Sequence, residues 1–349
     1  MMAVNSLAGQ PSVYAKILGM FPQNLSFAFA YGSGVMKQSG ASHKSKNMID
    51  LIFAVDSSSL WHAENIRRNP KHYSHLKWFG HNFVANFQEH WGARVYFNTL
   101  VPVEGEDVVI KYGIISRQAM EADLLDWCDL YVAGRLHKPV VILKQATNSH
   151  LRSALHQNLY SAVHAALLIL PETFTETDFY RCIAGLSYSG DFRMTFGEDK
   201  NKVVNIVAPQ VEAFRSLYAP VVKSLQDYMH MPVLVGEGEC CCQDISPSAR
   251  MYHLNQLPRT PQRAVVRFWN TRGPRRLRQD TEDTLRAISH DPECGNVVET
   301  CIRNIVWNSS VKQSVKGIAT AGLIKSIVYS WKKIKKMLKA SFGSLRIKD

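Results

Sequence analysis

Two short apolar runs separated by a small-residue turn and a polar loop are the clearest pattern along the chain. Leu25 to Ala30 is followed by Tyr31-Gly32-Ser33-Gly34-Val35, and Met48 to Asp56 is apolar except at Asp50 and Asp56. Both runs are short and rich in Phe, Ile and Val, which predicts two strands joined through a glycine-serine turn. Strand side chains alternate faces, so Asp50, Ile52, Ala54 and Asp56 share one face and Leu51, Phe53 and Val55 the other. Asp50 and Asp56 then lie roughly 20 Å apart at about 3.3 Å per residue, too far to ligate one ion. Asp56 reads as the strand's end, where it caps the next element.

Helical spacing resumes at Leu60 to Arg68 and at Tyr73 to Trp91, the second with apolar residues at Leu76, Phe79, Phe83 and Phe87. Strands are predicted at Arg94 to Val101 and Val108 to Ser116, across the acidic turn Glu104-Gly105-Glu106-Asp107. Leu151 to Leu170 predicts a long helix begun by Asn148 or Ser149 and stopped before Pro171. Thr175, Glu176 and Asp178 open the next. Gln210 to Met229, Asp280 to His290 and Asn296 to Trp307 read as further helices. The fold class expected is α/β (α+β): a mixed sheet followed by a mainly helical region.

The turn carries chemistry. Two glycines around a small hydroxyl let backbone N–H groups approach a triphosphate, and the following carboxylate, Asp50, suits the magnesium that a triphosphate brings. Either half alone is common in ordinary turns or strand edges; in this order they suggest phosphoryl transfer from a nucleotide. Nucleotidyltransferases usually place a second acid two residues away on this strand, but that position here is Met48. The second ligand must come from elsewhere, or the substrate's phosphates must hold the metal. Where a third carboxylate is common on a later strand, this chain has Lys111, which either neutralises phosphate charge or is a solvated edge residue. The loop Ser187 to Met194 holds Asp191 and Arg193 together. It is either a turn with a local ion pair, worth at most about 1 kcal/mol if exposed, or a flap that supplies the acid or phosphate contact that Met48 lacks.

Charge adds a third region. The chain carries a net +12, and Lys312 to Asp349 contains ten Lys or Arg against one Asp. Arg259 to Arg278 adds seven arginines without an acid, which leaves the remainder slightly acidic. Nucleic-acid-binding proteins more often spread basic charge over a folded surface, so no nucleic-acid partner is expected. In the tail, Ile324, Ile327, Val328, Trp331, Ile334 and Leu338 fall on one helical stripe among Lys325, Lys332, Lys333, Lys335, Lys336 and Lys339. Such a helix suits an anionic membrane interface, each lysine worth about 1 kcal/mol. The alternatives are packing on the domain or a calmodulin-type target. Apolar runs such as Ala165 to Leu170 fall far short of the roughly 20 residues a span needs, so the protein is expected to be peripheral. The seven cysteines show no CxxC spacing, which suggests free thiols in a reducing compartment, and Cys240-Cys241-Cys242 reads as a variable loop rather than a zinc site. Lys16 is the only basic residue before Lys37, so no Arg-rich presequence is visible.

Five segments in order, Tyr31-Gly32-Ser33-Gly34-Val35, Met48 to Asp56, Lys111-Tyr112-Gly113-Ile114-Ile115-Ser116, Tyr131-Val132-Ala133-Gly134-Arg135-Leu136 and Gly185 to Met194, resemble the mitochondrial phosphatidate cytidylyltransferase family. The resemblance runs from about Val13 to the basic tail and is weakest between about His230 and Thr281. It implies a nucleotidyltransferase domain at 13–146, a winged-helix-like helical domain at 147–311 and a membrane-binding amphipathic basic tail at 312–349. The implied reaction is CTP plus phosphatidic acid giving CDP-diacylglycerol and pyrophosphate. It implies magnesium as cofactor, and a place at the matrix face of the inner mitochondrial membrane, against anionic lipids, on the route to cardiolipin. Site residues are then Tyr31, Gly32, Ser33 and Gly34 for the nucleotide, Asp50 for metal and catalysis, and Lys111, Asp191 and Arg193 for the chemistry. Ile324, Ile327, Trp331, Lys332, Lys333, Lys335 and Lys336 are expected to meet the membrane. The rival readings are an RNA or protein nucleotidyltransferase using the Arg259 to Arg278 cluster, and a non-catalytic scaffold for an inner-membrane complex.

Overall fold

The computed structural model describes residues 11–36, 48–196, 201–232, 240–271 and 280–321. The expected membrane-contact residues Ile324, Ile327, Trp331, Lys332, Lys333, Lys335 and Lys336 lie outside these, as do Arg272, Arg275, Arg276 and Arg278.

The chain opens with α1 (Pro11–Gly19), β1 (Phe27–Tyr31) and β2 (Ile49–Val55), continues through α2 (Ser58–Arg68) and α3 (His81–His90), and then forms β3 (Tyr96–Pro102) and β4 (Val109–Ser116). After α4 (Arg117–Asp126) and the short α5 (Ala133–Leu136), β5 (Val141–Lys144) completes a mixed sheet of order β3-β4-β2-β1-β5. β2 and β4 are parallel, and the other pairs are antiparallel. The alternation read from sequence decides how the sheet is buried. Ile52 and Ala54 join a core with Phe97, Leu124, Trp127, Leu151 and Leu155, while Leu51, Phe53 and Val55 face a second core with Phe21, Trp61 and Val84.

The remainder is α6 (Ser149–Ile169), β6 (Thr173–Thr175), α7 (Glu176–Gly185), α8 (Phe192–Phe196), α9 (Lys202–Val207), α10 (Val211–Ser224), β7 (Met229–His230), β8 (Cys240–Gln243), α11 (Pro247–Asn255), α12 (Arg259–Thr271), α13 (Thr281–Ser289) and α14 (Cys294–Ala321). The α6 start is capped by Asn148, whose side chain accepts from Leu151 N, and α7 begins with a Thr175/Asp178 capping box. The class is the expected α/β (α+β).

Four local readings need correction. The Tyr73 to Trp91 segment is not one helix: a short turn, His75–Phe79, ends at Gly80, whose φ of +87° stops helical geometry before α3 begins. Asp56 does not cap α2; Ser57 does, accepting from Leu60 N, while Asp56 accepts from Arg117 Nε at 2.7 Å. The Cys240–Gln243 stretch is a strand pairing with β6 and β7. Cys241 is buried between exposed Cys240 and Cys242, the period of a strand, in a residue type not usually read as strand-forming. The segment starting at Gln210 ends as helix at Ser224, and Met229 belongs to β7.

α14 runs beyond Trp307 and docks on the sheet's edge. Gln313 Oε1 accepts from Ala93 N at 2.9 Å and Gln313 Nε2 donates to Val95 O, while Lys316 Nζ donates to Gln88 O and Trp91 O at 2.9 and 2.7 Å. Lys312 and Lys316 are thus part of a packed helix, and burial lowers the Lys316 ammonium to about 7.

Four buried imidazoles give the fold an acid limit. Burial pulls His62, His137, His164 and His253 down to about 4, 3, 3 and 4, and the His164 and His253 Nδ1 atoms meet at 2.9 Å. The unfolded chain, with histidine near about 6.5, takes up protons first as pH falls. Their contribution is complete above about pH 6.5 and is lost toward pH 4, at up to about 1.4 kcal/mol per pH unit for each ring. Urea midpoints should therefore fall steeply between those values, and less steeply when His164 and His253 are both changed to Gln. A wild-type midpoint that does not move would contradict this.

Candidate active site

Strand register assembles the site. Tyr31 lies opposite Asp50 on the antiparallel side, and Asp50 lies beside Lys111 on the parallel side. The Gly-Ser-Gly turn therefore folds directly over the head of β2. Gly32 takes a φ of +83°, and its carbonyl accepts from Val35 N and Met36 N at 3.1 and 2.9 Å. A Cβ at Gly32 would sit 3.4 Å from Asp50 Oδ2, and one at Gly34 only 2.4 Å from the Met48 carbonyl oxygen. Only glycine at position 34 lets the turn lie against the strand. Lys111 Nζ stands 3.8 Å from Asp50 Oδ1 and 4.5 Å from the centre of the Phe97 ring.

Two further cations converge here. Arg135, within α5, lies over the Tyr131 ring at 3.8 Å and the Tyr31 ring at 5.2 Å, and one of its NH groups donates to Tyr131 O. Arg193 is clamped by Asp191: its Nε donates to Oδ1 and Oδ2 at 3.0 and 3.2 Å, and its NH2 to Oδ2 at 2.5 Å. Asp191 is buried, so the alternative of an exposed turn pair does not hold. Burial opposes its charge, but Arg193 outweighs it and holds the carboxyl below the usual range. Burial likewise opposes ionisation of Tyr131, yet Arg135, Arg193 and Lys111 together hold its phenol below the ordinary value. Arg135, Arg193 and Lys111 thus act on the same ring, and that ring meets Phe97, the ring under Lys111.

Several residues that build the site have no signal at the level of spacing. Asp123 Oδ2 accepts from the backbone N of Tyr131, Val132 and Ala133 at 3.0, 2.8 and 3.0 Å, and its Oδ1 accepts from Asp129 N at 2.9 Å. This one carboxylate fixes the loop that delivers Tyr131 and Arg135. Lys138 Nζ donates to Gly134 O and to Ser187 Oγ, the latter at 2.9 Å, and lies 5.0 Å from the Tyr188 ring centre. Burial, with Arg135 nearby, lowers it to about 7. A Cβ on Gly134 would strike Ser187 Cβ at 2.2 Å, so the two glycine-containing motifs touch through Gly134.

Among the described residues no three His, Cys, Asp or Glu side chains group as a metal cage. A single carboxylate beside a glycine turn is a donor set that would suit magnesium carried on a triphosphate, with phosphate and water oxygens completing its shell.

A mixed sheet with a glycine turn over a strand carboxylate, ringed by lysine and arginine, is the architecture of a nucleotidyltransferase-like chain. Comparison with known proteins narrows this: a family model described as mitochondrial phosphatidate cytidylyltransferase matches residues 14–336. The chain belongs to the mitochondrial phosphatidate cytidylyltransferase family. A Danio rerio protein of that name is 49% identical over 338 residues, spanning 96% of this chain and 97% of that protein. The Homo sapiens protein is 44% identical over 92% of this chain and 69% of its own length, and the Schizosaccharomyces pombe protein 37% identical over 94% and 84%.

Proposed function

We propose that this chain transfers the cytidylyl group of CTP to phosphatidic acid, giving CDP-diacylglycerol and pyrophosphate. The near full-length family match carries this reading. The arrangement of Asp50, the Gly-Ser-Gly turn and the three cations supports it. A phosphate oxygen of phosphatidic acid attacks the α-phosphorus of CTP, a P–O bond forms there, and the bond to the β-phosphate oxygen breaks with its electrons leaving on pyrophosphate. The nucleophile is already anionic, so the site needs no strong general base.

The chain's own residues then position groups and neutralise charge. The backbone and hydroxyl of Gly32, Ser33 and Gly34 receive the β- and γ-phosphates. Lys111, Arg135 and Arg193 balance the charge that collects as pyrophosphate departs, with Asp191 holding Arg193 in place. Asp50 would hold magnesium, which supplies charge neutralisation on the triphosphate oxygens. On this reading the reaction runs in mitochondria, at the matrix face of the inner membrane, with the segment beyond Ala321 as a peripheral anchor on anionic lipid. Among the described residues no helix is long and apolar enough to cross a membrane.

Radiolabelled CTP with phosphatidic acid and magnesium tests the reading directly; labelled CDP-diacylglycerol is expected, and its absence from folded protein refutes it. In the same assay Ser33→Ala should lower the rate about 10 to 100-fold, the loss of one phosphate hydrogen bond of about 1.5 to 3 kcal/mol. Asp56→Asn serves as control. Its side chain is exposed and bonded to Arg117, so the rate should stay within about twofold. An equal loss at Asp56 would mean that the carboxylate at the far end of β2 acts in the chemistry.

A further inference from the structure

The turn His75–Phe79 and helix α3 present an aromatic stripe to solvent. Trp78, Phe79 and Trp91 are 75%, 69% and 60% exposed, and Phe83 is exposed between them. Phe79, Phe83, Phe87 and Trp91 recur every four residues and touch in series, with ring centres 5.0, 6.3 and 5.9 Å apart. The buried face of α3 is a different one, made by Val84, Ala85 and Gln88. Phe87 packs at the margin of the core, and the exposed remainder of the stripe is a contiguous apolar patch of the kind that marks an interaction surface.

Its surroundings indicate what it meets. From Pro70 to Trp91 the chain carries Lys71, Lys77 and several histidines, and a single acid, Glu89. Glu89 is turned inward, accepting from Ser58 Oγ and Gln88 Nε2 on one oxygen and from Ser116 Oγ on the other. The outward charge of this segment is thus basic. Trp and Phe with basic neighbours are the composition of a surface that seats its rings at the headgroup boundary of an anionic bilayer. The last turns of α14 adjoin it: Ser74 Oγ donates to Ala319 O, Lys316 Nζ lies 5.6 Å from the Phe87 ring centre, and Val315 and Ile318 are exposed.

We infer that Trp78, Phe79, Phe83 and Trp91, with Val315 and Ile318 beside them, form a membrane-contact surface that inserts into the interface of an anionic lipid bilayer. The inference rests on the phosphatidate reading above, since an enzyme whose substrate resides in a bilayer must meet it somewhere. The surface is separate from the chemistry: α3 packs with Leu51, Phe53 and Val55, on the sheet face opposite the one Asp50 shares with Ile52 and Ala54.

The test uses the full chain with Trp78→Ser and Phe79→Ser together, both at exposed positions. Co-sedimentation with phosphatidylcholine vesicles containing cardiolipin and phosphatidic acid should weaken by on the order of tenfold or more. Activity on detergent-dispersed phosphatidic acid should remain within twofold of wild type. Unchanged vesicle binding by the folded variant overturns the inference. So does a wild-type dimer that the substitutions convert to monomer without altering vesicle binding, which would make the patch a protein interface. A second measurement does not depend on the variant's folding: in full-length Trp331→Phe, brominated lipid should quench tryptophan fluorescence, and a lack of quenching also overturns the inference. Should both wild type and variant prove inactive in detergent, the phosphatidate reading fails, while vesicle binding still reports on the surface.

Discussion

Asp50→Asn should lower turnover by at least about 1,000-fold, equivalent to about 4 kcal/mol of transition-state stabilisation, while thermal stability changes by less than about 1 kcal/mol. The asymmetry follows from position. Asp50 is the one carboxylate at the head of β2, beside the phosphate-sized turn, and its contact with Lys111 is a partly exposed pair at 3.8 Å, worth little to folding. The amide keeps the shape and loses the charge that a magnesium-triphosphate requires. The measurement is kcat with labelled CTP alongside a thermal melt. Near-normal kcat in the folded variant would remove Asp50 from the chemistry.

Asp123→Ala should produce the largest loss of stability of any single change near the site, at least about 4 kcal/mol. Four backbone N–H groups, those of Asp129, Tyr131, Val132 and Ala133, converge on this buried carboxylate. Removing it leaves them without their acceptor, each at a cost of about 1 to 3 kcal/mol. Because the same loop carries Tyr131 and Arg135, any activity that survives at low temperature should also fall. Urea unfolding of Asp123→Ala and Asp123→Asn compares the two contributions: the amide retains one acceptor and should lose about half as much. A shift below about 1 kcal/mol in Asp123→Ala would mean that water replaces the carboxylate and that the loop holds itself.

The parts of this molecule legible in its sequence are those with a period. Alternation along 48–56 put Asp50 on a different face from Leu51 and Phe53, and the sheet is buried in that way. The glycine turn was legible as Gly-Ser-Gly between two apolar runs, whereas the approach of Gly34 to the Met48 carbonyl was not. Arg135 lay within the Tyr131 to Leu136 segment but was given no role, since α5 has only four residues, too few for any periodicity, and Asp123 looks like an ordinary polar residue of α4 until the chain folds back on it. The 191–193 pair was visible as a pair but not as buried, since burial comes from distant residues, Arg303 against Gly190 and Ser310 against Phe192. The helical break at Gly80 and the strand through Cys240–Gln243 were missed because one glycine is tolerated in helices and three cysteines carry no strand signature.

One helix also ties the Arg193 segment to the sheet. α14 has 28 residues and is about 42 Å long at 1.5 Å per residue. Within one turn of it, Ser310 Oγ accepts from Phe192 N and Gln313 bonds both Ala93 N and Val95 O. The segment that carries Arg193 and the residues leading into the edge strand β3 are thereby held against the same rod, three residues apart. A single rod is thus the common datum for the segment bearing Arg193 and for the sheet's edge.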